Sequence, residues 1–559
     1  MKEEQVAKLH KLIDKFTKKV KGISVALTDK DNTIFEYCTG VIDESDTPND
    51  SSKMYSIGSN TKLLTAIGIF QQIDRGKLEL DEDIKTYIPE FSIRSHFPFE
   101  KITTRQLLMH RSGLLGDDYR LFLDENRTMA NDLLPVLKET YLCTQPGTMY
   151  AYSNLAYGLL GLIIERLSGE TYIEYLEKNI FKPLGLSMRI LETFDKKNQY
   201  TGIISKGFNK KRRVNDYDLT TLISAGSSTY STIGDMSTLL RYFLNPEKQT
   251  ILSQKSINQL LAPPPEGMYE KGESCHGLGV MHNVLNYTDE HIGSVVGHGG
   301  ATLYHFSVFL MIPKLGIGVT VMSNTTGGNV KNSLIANELL VEYMKSINIE
   351  VDPIKMTDVP LVTRDVSALA ETYINIGLKI PITLHKNNIL RTKIEFMKAN
   401  VDVHEDGTYT LSPRGIAKLP PFKKLLKKMI LNVREIDKQR ILYFTKYSKY
   451  TYSRSAIACI LRPIDNIDKY QHLVGKYKCI SKFEGHDKFG SKSSVTIKNQ
   501  ALILRTNLEG TNIKFRLFPV DETHFVVQGY GRYSYSTVTI TEQNSKPVFT
   551  LCGISGIKQ

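Results

Sequence analysis

The segment Tyr55-Ser56-Ile57-Gly58-Ser59-Asn60-Thr61-Lys62 carries a serine and a lysine three positions apart at the mouth of an apolar helical stretch. On a helix, residues i and i+3 share a face, so the Ser59 hydroxyl and the Lys62 amine can meet. A serine hydroxyl is a poor nucleophile at neutral pH and needs an adjacent base. A lysine serves as that base only when desolvation lowers its pKa. The first N–H groups of a helix lack helical partners, so the Ser59 N–H is placed to donate to a developing oxyanion. Taken alone, the spacing equally describes a helix cap followed by a solvated lysine. The residues that follow decide between the two readings.

From Lys62 to Arg75 apolar residues occupy nearly every side (Leu63, Leu64, Ala66, Ile67, Ile69, Phe70, Ile73). This pattern predicts a buried helix, with Gly76 at its C-terminal cap. Lys62 therefore points into a protein interior rather than into water. Further along, Tyr152-Ser153-Asn154 follows Gly147 and precedes a second apolar helix, Leu155–Leu167. Gly297-His298-Gly299-Gly300-Ala301 precedes a hairpin of Phe306–Ile312, the turn Pro313-Lys314-Leu315-Gly316, and Ile317–Ser323.

Working outward, Glu3 to about Lys18 has Val6, Leu9, Leu12, Ile13 and Phe16 at helical spacing. Ile23–Leu27 and Thr33–Tyr37 flank an Asp31-Asn32 turn and read as a hairpin. Helical patterns recur at Thr104–His110 and Ser333–Met344. Strands at both ends with helices between them predict one α+β unit over residues 1–350. Its antiparallel sheet is assembled from both ends of the segment, with helices on both faces and a helical subdomain.

Taken in order, the S-x-x-K, Tyr-Ser-Asn and His-Gly-Gly elements resemble the serine β-lactamase and penicillin-binding protein superfamily, whose signature is S-x-x-K, a Tyr- or Ser-containing triad, and K-T-G or a variant. The resemblance is to the class C β-lactamase, esterase and D-aminopeptidase branch. It extends to Leu78-Glu79-Leu80-Asp81-Glu82-Asp83, Ile102–Leu114, Pro146-Gly147, and Gly226 with Ser231-Thr232, and covers about residues 20–345.

The resemblance implies a role for each residue. Ser59 is the acyl-accepting nucleophile and Lys62 takes or relays its proton. Tyr152 is the second base and protonates the leaving group. A free phenol, with a pKa of about 10, is a weak base at neutral pH, so its proton has to be shared with Lys62. Asn154 bonds the substrate's amide carbonyl. His298 orients Tyr152 or binds an anionic or carbonyl group. Gly299 and Gly300 leave the strand edge open to substrate, and the Ala301 N–H is the second oxyanion donor. His110 is read as structural.

Histidine in place of the K-T-G lysine leaves less fixed positive charge, because an imidazole is often neutral at pH 7. This weakens the readings that need a substrate carboxylate. The expected activity is a serine hydrolase cleaving amide bonds of small peptides or amides, D-aminopeptidase-like. An esterase or weak β-lactamase using the same residues is the alternative. A binding protein that keeps the fold and works through its basic rear half is a further one.

That rear half is distinct in charge. Residues 351–559 hold 33 Lys and Arg against 18 Asp and Glu, whereas residues 1–350 hold 38 against 41. A linker is expected at 351–365, a first β-rich domain at 366–466, and a second, lipocalin-like barrel at 467–559. The similar stretches Leu369-Ala370-Glu371-Thr372-Tyr373 and Leu473-Val474-Gly475-Lys476-Tyr477 suggest two related units. In the known D-aminopeptidases that the layout resembles, a barrel loop helps shape the pocket; no such loop is identifiable from this sequence. Lys423, Lys424, Lys427 and Lys428, interleaved with Leu425, Leu426, Met429 and Ile430, read as a solvated helix face, with a weak contact to an anionic surface as the alternative.

At 559 residues, 41% hydrophobic and 23% charged, the composition is that of a globular, multi-domain chain. No apolar run approaches the roughly 20 residues that cross a bilayer. The amino end lacks an apolar signal core, so a cytoplasmic location is expected. The six cysteines are scattered without C-x-x-C spacing and read as packing residues. No metal, cofactor, nucleotide or nucleic acid is expected.

Overall fold

The computed structural model describes residues 3–17, 20–121, 129–191, 199–209, 212–213, 224–248, 250–269, 272–302, 304–354, 370–375, 378–385, 389–394, 397–436, 439–481, 490–508 and 511–559. The front of the chain is built on a seven-stranded antiparallel sheet. Its strands are β1 (Gly22–Asp29), β2 (Thr33–Gly40), β3 (Cys275–His276), β4 (Met281–Leu285), β5 (Val295–Ala301), β6 (Phe306–Ile312) and β7 (Ile317–Ser323). Their order is β2-β1-β7-β6-β5-β4-β3. The amino-terminal hairpin therefore joins the carboxy-terminal one through β1 and β7, with Val25 opposite Val321.

Period-two alternation sends the two sides of β6 into different cores. Val308, Leu310 and Ile312 face a cluster containing Leu9 and Ile13 of helix α1 (Glu3–Thr17), while Phe309 and Met311 join the cluster around helix α2 (Thr61–Asp74). The α1 helix ends at Thr17; Lys18, where the sequence pattern places its end, lies outside the described residues. Every residue of α2 from Thr61 to Gln72 is buried, as its unbroken apolar pattern requires. Each fully buried Leu, Ile or Phe there contributes about 1.5–3 kcal/mol. Helix α2 packs against α3 (Asn154–Ser168), whose N-cap Ser153 accepts the Ala156 N–H at 3.0 Å and whose C-cap Gly169 is left-handed.

The rear forms two closed eight-stranded antiparallel barrels. The first runs from strand Thr372–Asn375 to Tyr452–Ile460, and the second from Gly475–Cys479 to Ile554–Lys558. Tyr373 and Tyr477, the tyrosines of the two similar stretches, both lie buried on the first strand of their barrels. Leu369 and residues 355–365 of the expected linker lie outside the described residues. The second barrel is filled by side chains such as Leu502, Leu504, Phe515, Phe525 and Val538, each 0% exposed.

The basic stretch between the fifth and sixth strands of the first barrel forms only the short helix Pro420–Leu426. Leu426 is buried and Lys423 exposed. Lys427 and Lys428 are exposed in the turn that follows, so a continuous amphipathic helix through all four lysines is not formed. The side chain of Lys424 lies outside the described residues. Among the described residues no helix is long and apolar enough to cross a membrane.

Candidate active site

A turn of 3-10 helix, Gly58–Asn60, holds Ser59 at the start of α2. Three contacts fix this turn. Ile57 N–H donates to Thr229 O at 2.9 Å, Asn60 Nδ2 donates to Ser307 Oγ at 2.7 Å, and Ser307 Oγ donates to Ile57 O at 2.7 Å. The last two tie the Ser59 turn to β6. Strand β5 lies directly against it: a Cβ placed on Gly300 would overlap the Ile57 carbonyl oxygen, and one on Gly58, where φ is +52°, would lie 2.7 Å from Ala301 N.

The two cleft glycines thus have different reasons to be glycine. Gly299 faces open space, which suits a strand edge left free for substrate. Gly300 is small because β5 must close onto Ile57, so for this residue the expectation of a substrate-driven glycine is corrected. Strand β4 pairs with β5 at Val295 and Gly297, and Ser59, His298, Gly299, Gly300 and Ala301 line one cavity of about 500 Å3 together with Tyr152 and Asn154.

Within the cavity the polar tips converge. Tyr152 Oη donates to Ser59 Oγ at 2.7 Å, and Lys62 Nζ lies 3.4 Å from the same oxygen. Lys62 is 0% exposed. Burial pushes its pKa well below the ordinary lysine value; Asp117 opposes this and Arg532 adds to it. A neutral amine has two N–H groups and one lone pair. Asn154 Oδ1 at 2.6 Å and Gly226 O at 2.8 Å can take both N–H groups, which leaves the lone pair toward Ser59.

Tyr152 is pushed up to about 12 by burial, against the opposing effects of the Ser59 hydrogen bond and Arg532, so it is a neutral phenol in the resting site. Lys62 Nζ sits over its ring, 4.9 Å from the centroid. The phenol and the amine are joined through Ser59 Oγ.

His298 Nδ1 donates to Gly299 O at 2.6 Å, which fixes the tautomer and leaves Nε2 as an acceptor. That Nε2 is buried without a hydrogen-bond partner. Burial and the nearby Lys62 lower the His298 pKa to about 4. In this neutral tautomer the ring carries no positive charge and its Nε2 is an acceptor.

Asn154 is also committed differently from a residue held open for substrate, because its Nδ2 donates to Asp117 Oδ1 at 2.8 Å. His110 is structural: its Nδ1 accepts the Ser153 N–H at 3.0 Å, and its ring lies 4.3 Å from that of Tyr152. His276 of β3 completes a buried histidine row, with its ring 4.6 Å from His110 and 5.2 Å from His298.

Sequence reasoning missed Asp117 and Arg532. Arg532 lies in the second barrel and lines the same cavity as Ser59. Its Nε donates to the fully buried Asp117. A guanidinium ion-paired with Asp117 therefore lines the cleft, supplied by a barrel loop rather than by the third motif. The one visible signal was the glycine- and tyrosine-rich run Gly529-Tyr530-Gly531-Arg532-Tyr533 between strand-like segments. Asp117, in Gly116-Asp117-Asp118, sits in no recognisable spacing.

A buried lysine beneath a half-buried serine and tyrosine at the head of a buried helix, beside a glycine-bearing strand edge, is the arrangement of the serine β-lactamase and penicillin-binding protein superfamily. The Beta-lactamase family model matches residues 9–341, and the chain belongs to that family. Protein flp of Staphylococcus aureus (strain N315) is 27% identical over 277 residues, covering 48% of this chain and 52% of that protein. Beta-lactamase-like protein 4 of Dictyostelium discoideum is 26% identical over 351 residues, covering 58% and 61%. The chain thus spans about half the length of the first of these relatives.

Among solved structures, SurE superposes with a TM-score of 0.58 at 19% identity, over 81% of this chain and 98% of that one. A second SurE structure, described as being with D-Leu, gives 0.56 at 18%, over 81% and 100%. An octameric penicillin-binding protein homologue from Pyrococcus abyssi gives 0.50 at 21%, over 80% and 99%. At these identities the likeness is one of fold.

Proposed function

We propose that this protein is a serine hydrolase that cleaves amide bonds of small peptides or amides, D-aminopeptidase-like, through an acyl-enzyme on Ser59. The observation that carries the reading is the pair of contacts on Ser59 Oγ, from Tyr152 Oη at 2.7 Å and Lys62 Nζ at 3.4 Å.

Ser59 Oγ attacks the carbonyl carbon and its proton passes to Lys62. The Ser59 and Ala301 N–H groups hold the oxyanion. The C–N bond breaks as Tyr152 gives its proton to the leaving nitrogen and is reprotonated from Lys62. Water then adds to the ester with the same groups acting in reverse, releasing the acid and restoring Ser59. The Arg532 guanidinium favours a carboxylate on the substrate over an ammonium, so a short peptide presenting its carboxylate there is preferred to a simple amide. The SurE structure with D-Leu makes a D-residue the first to try.

A second reading, an esterase, is favoured by one feature. The cleft shares His298, Gly299 and Val308 with an adjoining cavity of about 370 Å3 that is lined by Val330 and Leu334. These side chains are 59% and 45% exposed, which suits an acyl chain.

A panel of D-Ala p-nitroanilide, its L form, D-Ala-D-Ala, p-nitrophenyl butyrate and nitrocefin on purified protein separates the readings. Turnover of the peptide or anilides that is lost in Ser59→Ala supports the amidase. Turnover of the butyrate alone replaces it with the esterase, and no turnover of any member overturns both.

A further inference from the structure

A second cavity, of about 530 Å3, lies outside the catalytic cleft where all three domains meet. Its volume falls within the range of small-molecule sites, about 300–1,000 Å3. The catalytic domain contributes Phe97 and Leu142, the first barrel Ile460, and the second barrel Phe518 and Val526, so most of the wall is apolar. Among the residues lining it, Arg462 is the one arginine or lysine, and there is no Asp or Glu.

Arg462 is exposed at the solvent side. Its backbone is clamped by Gln528, whose Oε1 accepts the Arg462 N–H at 2.8 Å and whose Nε2 donates to the Arg462 carbonyl at 3.1 Å. The other polar side chains of the lining, among them Gln145 and Thr148, are uncharged.

We propose that this cavity binds a small amphipathic anion, a medium-chain carboxylate, with its apolar chain against Phe518 and Val526 and its head at Arg462. Two facts converge on that chemistry: an apolar wall, and a single arginine in a lining free of acids. Gly529 and Tyr535, which flank the loop carrying Arg532, also line the cavity. The ligand therefore touches the loop that enters the catalytic cleft from behind, without contact with Ser59. The site does not depend on the catalytic reading.

Dodecanoate binding to the full chain, measured by calorimetry, tests the proposal. Wild type is expected to bind one equivalent saturably. Val526→Trp, which fills the cavity, is expected to abolish binding. Arg462→Gln, at an exposed position, should weaken dodecanoate at least tenfold and dodecanol little. Gly299→Trp, which fills the catalytic cleft where a side chain meets open space, should leave binding intact. Thermal unfolding checks that each variant is folded. No saturable binding to wild type, binding retained in Val526→Trp, or binding lost in Gly299→Trp each overturns the site. Equal losses of dodecanoate and dodecanol in Arg462→Gln overturn the assignment of the head group.

Discussion

Arg532 of the second barrel donates a hydrogen bond to the buried carboxylate of Asp117 in the catalytic domain, 415 residues away in sequence. The contact continues inward. Asp117 accepts from Asn154, Asn154 accepts from Lys62, and Lys62 lies beside Ser59. A barrel loop is thereby joined to Lys62 by side-chain hydrogen bonds.

The chain of charges gives two pH shifts of opposite sign. The proposed mechanism requires neutral Lys62, so it has kcat/KM rise with pH through the Lys62 pKa. Arg532 lowers that pKa and Asp117 raises it. Arg532→Gln should move the acidic limb of the profile to higher pH, and Asp117→Asn should move it to lower pH. Shifts in the same direction would show that the limb belongs to another group.

Tyr152→Phe removes one hydroxyl and keeps the ring. It should lower kcat by about 10²–10⁴-fold while thermal unfolding stays near that of wild type. Lys62→Ala should lose at least as much activity. Wild-type rates in both would remove the proton relay.

The two cleft glycines should respond differently to alanine. Gly299→Ala enters open space, so stability is kept and the effect appears mainly in KM. Gly300→Ala drives a methyl group into the Ile57 carbonyl. That separates β5 from the Ser59 turn and should cost kcat on the order of 10²–10³-fold, the size of a lost oxyanion donor. Steady-state kinetics on both variants reads the split.

Glu273 is buried where the catalytic domain docks on the first barrel; Ser274 N–H donates to Arg454 O of that barrel at 2.9 Å. Burial raises the Glu273 pKa to about 7, against the lowering effect of Arg454. A group whose folded pKa is raised contributes stability that is full below its unfolded pKa and lost as pH climbs through the folded one. Stability at this junction should therefore fall between about pH 4.5 and pH 7. Glu273→Gln should flatten that fall and unfold at a higher temperature than wild type at pH 8. An unchanged pH dependence in the variant would contradict this.

The site was legible in the sequence wherever chemistry rides on short-range pattern. Ser59 and Lys62 announce themselves because three residues bring them to one face of a helix too apolar for the surface. The hairpin of β6 and β7 was readable because alternation and the Pro313–Gly316 turn are local. Arg532 and Asp117 were not, because their pairing rests on how a closed barrel docks, a contact that leaves no period in the chain. The fates of His298 and Gly300 were hidden for a similar reason. Which nitrogen of the ring is capped, and which carbonyl a strand leans on, are set by tertiary packing. The basic run misled because helix length was fixed by the turn into the next barrel strand rather than by the lysine spacing.

The most direct measurement is the intact mass of the protein after incubation with a fluorophosphonate and, separately, with a fluorescent penicillin. Wild type should gain one adduct from at least one probe, mapping to the peptide that contains Ser59, and Ser59→Ala should gain none. Adducts of equal extent on both proteins, or on neither, would contradict an acyl-accepting Ser59.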